Sequence, residues 1–182
     1  GRYDGSSKYP KGKQWGFFPS VSAGWRISEE SFYEPIRPAV EYLKMRVSYG
    51  DLGNQVVDNN FQYLGMLSSG TLKGINPSTL ASTNITWERV NTINAGFDFA
   101  ALNNRLSGAF DYYVRRTKDM VISKAYPAVL GSTGGKENLA DMRTNGWELM
   151  LTWNDKIVDL GGSPLTYGVG LGISDAFSEI TR

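Results

Sequence analysis

The sequence predicts an all-β chain of antiparallel strands, laid out as a segment of a transmembrane β-barrel. Three observations predict it. Apolar and polar residues alternate with a period of two in six separate runs. The runs outlast the about 5–6 residues of an ordinary soluble strand. Long and shorter connections follow one another in turn, as they do where loops on one side of a membrane are long and turns on the other are short.

In the first run Phe17, Pro19, Val21, Ala23, Trp25 and Ile27 stand against Phe18, Ser20, Ser22, Gly24 and Arg26. The second sets Leu43, Met45, Val47 and Tyr49 against Lys44, Arg46, Ser48 and Gly50. The third sets Ile93, Ala95, Phe97 and Phe99 against Asn94, Gly96, Asp98 and Ala100. In the fourth, Leu106, Gly108, Phe110, Tyr112 and Val114 alternate with Ser107, Ala109, Asp111, Tyr113 and Arg115. The fifth has Trp147, Leu149, Leu151 and Trp153 around Glu148, Met150 and Thr152. The last has Leu165, Tyr167, Val169, Leu171 and Ile173 around Thr166, Gly168, Gly170, Gly172 and Ser174. One face of each strand therefore meets an apolar medium and the other a polar one. A strand of about ten residues tilted by about 45° spans roughly 24 Å, which matches an apolar band about 25 Å tall.

Residues 28–42, with Pro35 and Pro38, form a moderate connection. Leu102-Asn103-Asn104 forms a tight turn, its asparagines suited to left-handed backbone. Asn154 to Pro164 is read as another moderate turn. Residues 51–86, rich in Gly, Asn and Ser, and residues 119–140, with Pro127 and Gly131-Ser132-Thr133-Gly134-Gly135, are the long loops. A short hairpin around Phe61, Tyr63 and Gly65 fits inside the first of them. The opening Gly1-Arg2-Tyr3-Asp4-Gly5 and the closing Glu179-Ile180-Thr181-Arg182 read as the interior of a longer chain.

Composition narrows the chemistry. A net charge of +1 gives no electrostatic footprint for nucleic acid. Histidine and cysteine are absent, which removes the commonest general base, the commonest zinc ligand and thiolate sites together. Aromatics at 13% and 21 glycines fit a turn-rich soluble β protein as well as a membrane barrel, where aromatics sit at both interfaces. No apolar run approaches about 18 residues, so no transmembrane helix is expected.

The candidate chemistry thins out on inspection. Gly131 to Lys136 lacks the spacing of a phosphate loop, and Glu137 follows the lysine where Ser or Thr is needed. Asp51, Asn54, Asp58, Asn59 and Asn60 are oxygen donors but fit no EF-hand, and such clusters are ordinarily solvated turns. Asn84-Ile85-Thr86 is a glycosylation sequon, relevant only in a secretory pathway. No paired acidic motif supports a glycosidase. The expectation is no catalytic residue, no metal and no cofactor.

Lys44, Arg46, Asp98, Asp111, Arg115 and Glu148 fall on the polar face. Lysine or arginine facing lipid near the midplane costs about 2–4 kcal/mol, so these residues are expected to face the lumen. There they touch substrate or plug, or form a network that solvates the wall. Trp25, Tyr49, Tyr112, Trp147, Trp153, Tyr167 and Leu171 fall on the apolar face, as lipid-facing or girdle residues. Sugar stacking would need lumen or loop aromatics such as Tyr63 or Tyr126.

The order of short motifs resembles one family. Arg2-Tyr3-Asp4-Gly5-Ser6-Ser7, Trp15-Gly16, Phe18-Pro19-Ser20 and Gly24-Trp25-Arg26-Ile27-Ser28-Glu29-Glu30-Ser31-Phe32 are similar to elements of SusC/RagA-type TonB-dependent transporters. So are Leu43 to Gly50 with Gly53-Asn54, Trp87-Glu88 with Asn94 to Asp98, Asp111 to Asp119, and Asn138 to Glu148. The match runs along nearly the whole chain in order. It departs at Tyr9, where phenylalanine is usual, at Ala140, where glycine is usual, and at Thr144, where asparagine is usual.

The resemblance implies a barrel of about 22 strands closed around a plug. Residues 1–182 would be part of that single barrel domain and contain no plug. The whole protein would sit in the bacterial outer membrane of Bacteroidetes-type bacteria and import a nutrient oligomer, glycan or peptide. Its expected partners are TonB, a SusD-like surface lipoprotein, the rest of the barrel and plug, and outer-membrane lipid. The alternative from another class is a soluble β-rich carbohydrate-binding or adhesin module.

Overall fold

The computed structural model describes residues 1–55, 66–69, 75–79, 84–124, 127, 135–160 and 163–182. The strands are β1 (Arg2–Gly5), β2 (Trp15–Phe18), β3 (Ser20–Arg26), β4 (Val40–Asn54), β5 (Met66–Ser69), β6 (Ile75–Thr79), β7 (Glu88–Ala101), β8 (Leu106–Ser123), β9 (Lys136–Leu160) and β10 (Ser163–Ile180). The main sheet is antiparallel, in the order β10-β9-β8-β7-β4-β3. Each strand thus lies beside its neighbour in sequence, apart from the small β5–β6 hairpin inserted between β4 and β7. No described helix is long and apolar enough to cross a membrane.

Five of the six alternating runs fall within single strands that are longer than the runs, and the first is divided between β2 and β3. β9 has 25 residues and β8 and β10 have 18 each. Strict alternation marks only part of each of these strands; beyond it the pattern of side chains changes while the ladder continues on backbone hydrogen bonds. For that reason the turn expected over Asn154 to Pro164 is corrected: β9 runs on to Leu160 and β10 starts at Ser163. The hairpin expected around Phe61, Tyr63 and Gly65 falls on residues outside those described. Downstream of them β5 pairs antiparallel with β6.

The first run is broken at Pro19, whose carbonyl accepts from the Asp51 N–H at 2.9 Å. Proline has no N–H for the ladder, and the break changes the facing of what precedes it. The Phe18 ring, not Phe17, lies on the Tyr49 side of the sheet. It covers Gly53, where any Cβ would overlap the ring.

At one end of the sheet the turns are tight. Leu102, Asn103 and Asn104 all have φ near +60° (59°, 58° and 59°), so the asparagine turn includes a leucine in left-handed backbone. The turn is tied to the β3–β4 connection: the Leu102 N–H donates to the Ala39 carbonyl at 3.2 Å and the Asn103 N–H to Glu41 Oε1 at 2.6 Å. Two 3₁₀ turns, Ile27–Glu29 and Ser31–Tyr33, fill that connection, and Arg37 donates to the Ser28 carbonyl at 2.7 Å.

The buried core lies at the opposite, loop end. Tyr9, Phe18, Ile85, Trp87 and Val121 form one cluster, with Tyr9 fully buried and Ile85 1% exposed. Asn138 on β9 holds it together. Its side chain accepts from the Thr86 N–H at 2.9 Å and donates to the carbonyls of Thr86 at 3.0 Å and Asp119 at 2.5 Å. The segment carrying Ile85 and Trp87 is thereby fixed to the β8–β9 bulge, where Asp119 has φ 56°.

Candidate functional site

The ladder registers place each side chain on one of two faces. Trp25, Met45, Phe97, Phe110, Leu149 and Ile173 form one continuous row across six strands. Val21, Tyr49, Ile93, Val114, Asn145 and Phe177 form another row on the same face. The expected apolar-face residues Trp25, Tyr49, Tyr112, Trp147, Trp153, Tyr167 and Leu171 all fall here. Tyr112 stands opposite Trp147, Leu171 opposite Leu151, and Trp153 Nε1 donates to the Tyr167 hydroxyl at 3.3 Å. Val169 and Leu171 on the edge strand β10 are 61% and 53% exposed, and Met45, Val47 and Ile93 on this face are exposed as well. Asp175, opposite Trp147, is a carboxylate on this side, and its Oδ1 accepts from the Ala176 N–H at 2.9 Å.

The other face carries the charges expected from the alternation. Lys44, Arg46, Asp98, Asp111, Arg115 and Glu148 all lie on it. Three of them are brought together. The Arg46 guanidinium meets Asp98 through Nε to Oδ2 at 2.8 Å and Nη2 to Oδ1 at 2.9 Å, and Nη2 also reaches Asp111 Oδ2 at 3.0 Å. Asp111 is on β8, two strands from β4. The bridge crosses β7 at Gly96, which stands opposite both Arg46 and Asp111. A Cβ there would overlap the Asp111 carboxylate and the Phe110 carbonyl. Gly96 is the residue that sequence reasoning missed; its signal was a glycine flanked by Asn94 and Asp98 on the polar side of a strand.

The remaining candidates are near but separate. Glu148 stands directly opposite Asp111, so two carboxylates adjoin with one guanidinium beside them. Lys44 is opposite Asp98 in register. Arg115 is further along, opposite Thr92 and Thr144, its guanidinium 5.7 Å from the centre of the Tyr113 ring. Half-exposed pairs of this kind contribute about 0.2–1 kcal/mol, less than the about 2–4 kcal/mol that separates a lipid-facing cation from a water-facing one. Face selection is therefore their larger consequence. The set offers charge and hydrogen bonds to a wet passage, with no activated nucleophile among the described residues. Of the loop oxygen donors, Asp51 faces Arg89 at 3.4 Å, and Asp58, Asn59 and Asn60 lie outside the described residues, as do Tyr63 and Tyr126.

An antiparallel sheet whose central band has one aromatic, apolar face and one charged face has the pattern of a membrane β-barrel wall. The family described as "TonB dependent receptor-like, beta-barrel" matches residues 1–181, and the chain belongs to it. TonB-dependent receptor P26 of Formosa agariphila is 32% identical over 89% of this chain and 19% of its own length. TonB-dependent receptor SusC of Bacteroides thetaiotaomicron is 30% identical over 100% of this chain and 19% of its own length. The solved structure of the RagAB peptide importer in its closed-closed state superposes with a TM-score of 0.81 at 26% identity, over 98% of this chain and 20% of that one. The chain is thus of the SusC/RagA type, an outer-membrane family, and spans about a fifth of the length of these relatives.

Proposed function

We propose that residues 1–182 are part of a single barrel domain of an active importer that takes up a nutrient oligomer, glycan or peptide. The apolar face meets outer-membrane lipid, and Lys44, Arg46, Asp98, Asp111, Arg115 and Glu148 line the lumen. A SusD-like lipoprotein holds cargo against the loop end, and TonB, acting on a plug inside the barrel, opens a polar path along the charged face. The observation that carries this reading is the Arg46–Asp98–Asp111 bridge on one side of strands whose other side is exposed and apolar. The likeness to a peptide importer favours peptide among the cargoes.

Nitroxide labels on alternate β10 positions test the wall. In the whole protein reconstituted in lipid, a label at Leu171 is expected to collide with dissolved oxygen, and one at Gly170 with a water-soluble nickel chelate. The reverse pattern, or none, would sink the facing. Uptake of fluorescent peptides and oligosaccharides by cells with and without the protein then tests import; no difference for either cargo class would refute it.

A further inference from the structure

Two arginines stand side by side on the apolar face at its loop end. Arg116 on β8 is directly opposite Arg143 on β9. Both share the side of Tyr112, Val114, Trp147 and Asn145, and the pair lies two residues beyond the Ile93–Val114–Asn145 row, roughly 7 Å further along the strands. Lys118 follows on the same side. The three cations rim a depression of about 250 Å³ with Asp141 and Thr181.

Like charges directly opposite on a ladder are destabilising. No ion pair among the described residues offsets this like-charged pair. Neither Arg116 nor Lys118 has an ion pair among the described residues, and Arg143 donates from Nε only to Asn145 Oδ1 at 3.2 Å. Two acids lie nearby. Asp141 already accepts from the Asp119 N–H at 2.9 Å, and Glu179, opposite Arg143 in register, makes no ion pair among the described residues. The neighbouring Arg89 is held by Asp51 and by the Phe18 ring, so it is committed elsewhere.

We infer that Arg116 and Arg143, with Lys118, clamp a phosphate on the headgroup of an outer-leaflet lipid. The inference rests on the facing given under the proposed function. That facing puts the pair on the outer surface of the wall, just past the apolar band on the loop side. A phosphate-bearing headgroup sits at this depth, and guanidinium forks match phosphate oxygens. A lipid also supplies what a free anion does not: acyl chains continue down over Val114, Tyr112 and Trp147.

The test uses the whole protein in detergent with an acylated, bisphosphorylated glucosamine disaccharide, its dephosphorylated form and inorganic phosphate. Native mass spectrometry is expected to show the phosphorylated glycolipid bound, and Arg116→Gln with Arg143→Gln to weaken it about tenfold. Equal binding of the dephosphorylated form, or undiminished binding by the double variant, would overturn the proposal. Inorganic phosphate competing as well as the glycolipid would replace it with a soluble-anion site. If the double variant fails to assemble, Arg116→Gln alone is measured, with a smaller loss expected and no loss counting against the clamp. A nitroxide at Val114 separates the two readings. Oxygen contact there with no phosphate dependence sinks the clamp alone; nickel-chelate contact sinks the outward facing with it.

Discussion

The membrane band and the loop-end cap of this chain use apolar side chains in opposite ways. In the band, Val47, Phe97, Val169 and Leu171 sit on a regular ladder and stay exposed, as the proposed lipid-facing side would require. In the cap, Tyr9, Phe18, Ile85 and Trp87 come from irregular or interrupted segments and are shut away from any solvent. Phe18 meets Trp87 edge-on at 5.6 Å between ring centres, and Tyr9 meets it tilted at 4.9 Å. Trp87 Nε1 also donates to the Lys13 carbonyl at 3.1 Å, and Lys13 Nζ reaches the Asn84 side chain. The cap is therefore an ordinary buried core standing on a wall that has none. The difference teaches that apolar content alone says little about stability until the medium is known.

The comparison can be broken at either end, and the largest effect belongs to the cap. Trp87→Ala removes the ring shared by Tyr9 and Phe18 and is expected to cost the cap about 3–5 kcal/mol. Limited proteolysis of the whole protein should then cut within residues 6–14 while the band stays protected. Loss of the whole barrel instead would show that cap and band form one cooperative unit. Next comes the band: Leu171→Arg is expected to cost about 2–4 kcal/mol, whereas Gly170→Ser costs little, because only the first faces lipid. The shift of the folded form in a heat-modifiability gel reads this, and equal effects would contradict the assigned faces.

Smaller changes sharpen the comparison. Asn138→Ala strips three hydrogen bonds that tie Thr86 to Asp119 and should loosen the cap by about 1–3 kcal/mol, seen as faster amide exchange at residues 84–88. The smallest effect is a titration. Burial, and secondarily the Glu88 charge, push the Tyr9 phenol from 10.0 up to about 12. Between those values the unfolded cap loses the proton while the folded one keeps it. Cap stability is thus fully present below pH 10 and falls as pH rises toward 12. Tyr9→Phe should flatten that decline, and tyrosinate absorbance against pH provides the check.

Much of the wall was legible. Leu43 to Tyr49 and Leu165 to Ile173 alternate because each strand separates two media, and a period of two needs no tertiary information. The faces of Arg46, Asp98 and Asp111 followed from the same parity. Their meeting did not, since Asp98 and Asp111 lie 52 and 65 residues from Arg46 in sequence. Tyr9 stood out only as a tyrosine where phenylalanine is usual; in the structure its hydroxyl donates to the Asn54 carbonyl at 3.4 Å. The extent of β9 differs from the turn expected over Asn154 to Pro164 because long-range partners extend the ladder. Here Asn154 donates its N–H to the Arg105 carbonyl at 2.8 Å, and Asp155 pairs with Arg105 at 3.3 Å.

By itself the sequence determined six spanning strands, their two faces and the family, all consequences of local periodicity and motif order. Only the tertiary structure decided which polar-face charges share a guanidinium, that Gly96 lets the bridge pass, and that the core sits in the loops. It also set Arg116 against Arg143. The physical reason is register: a period of two fixes the side of every residue, whereas the neighbour it meets depends on how far each strand slides along the next.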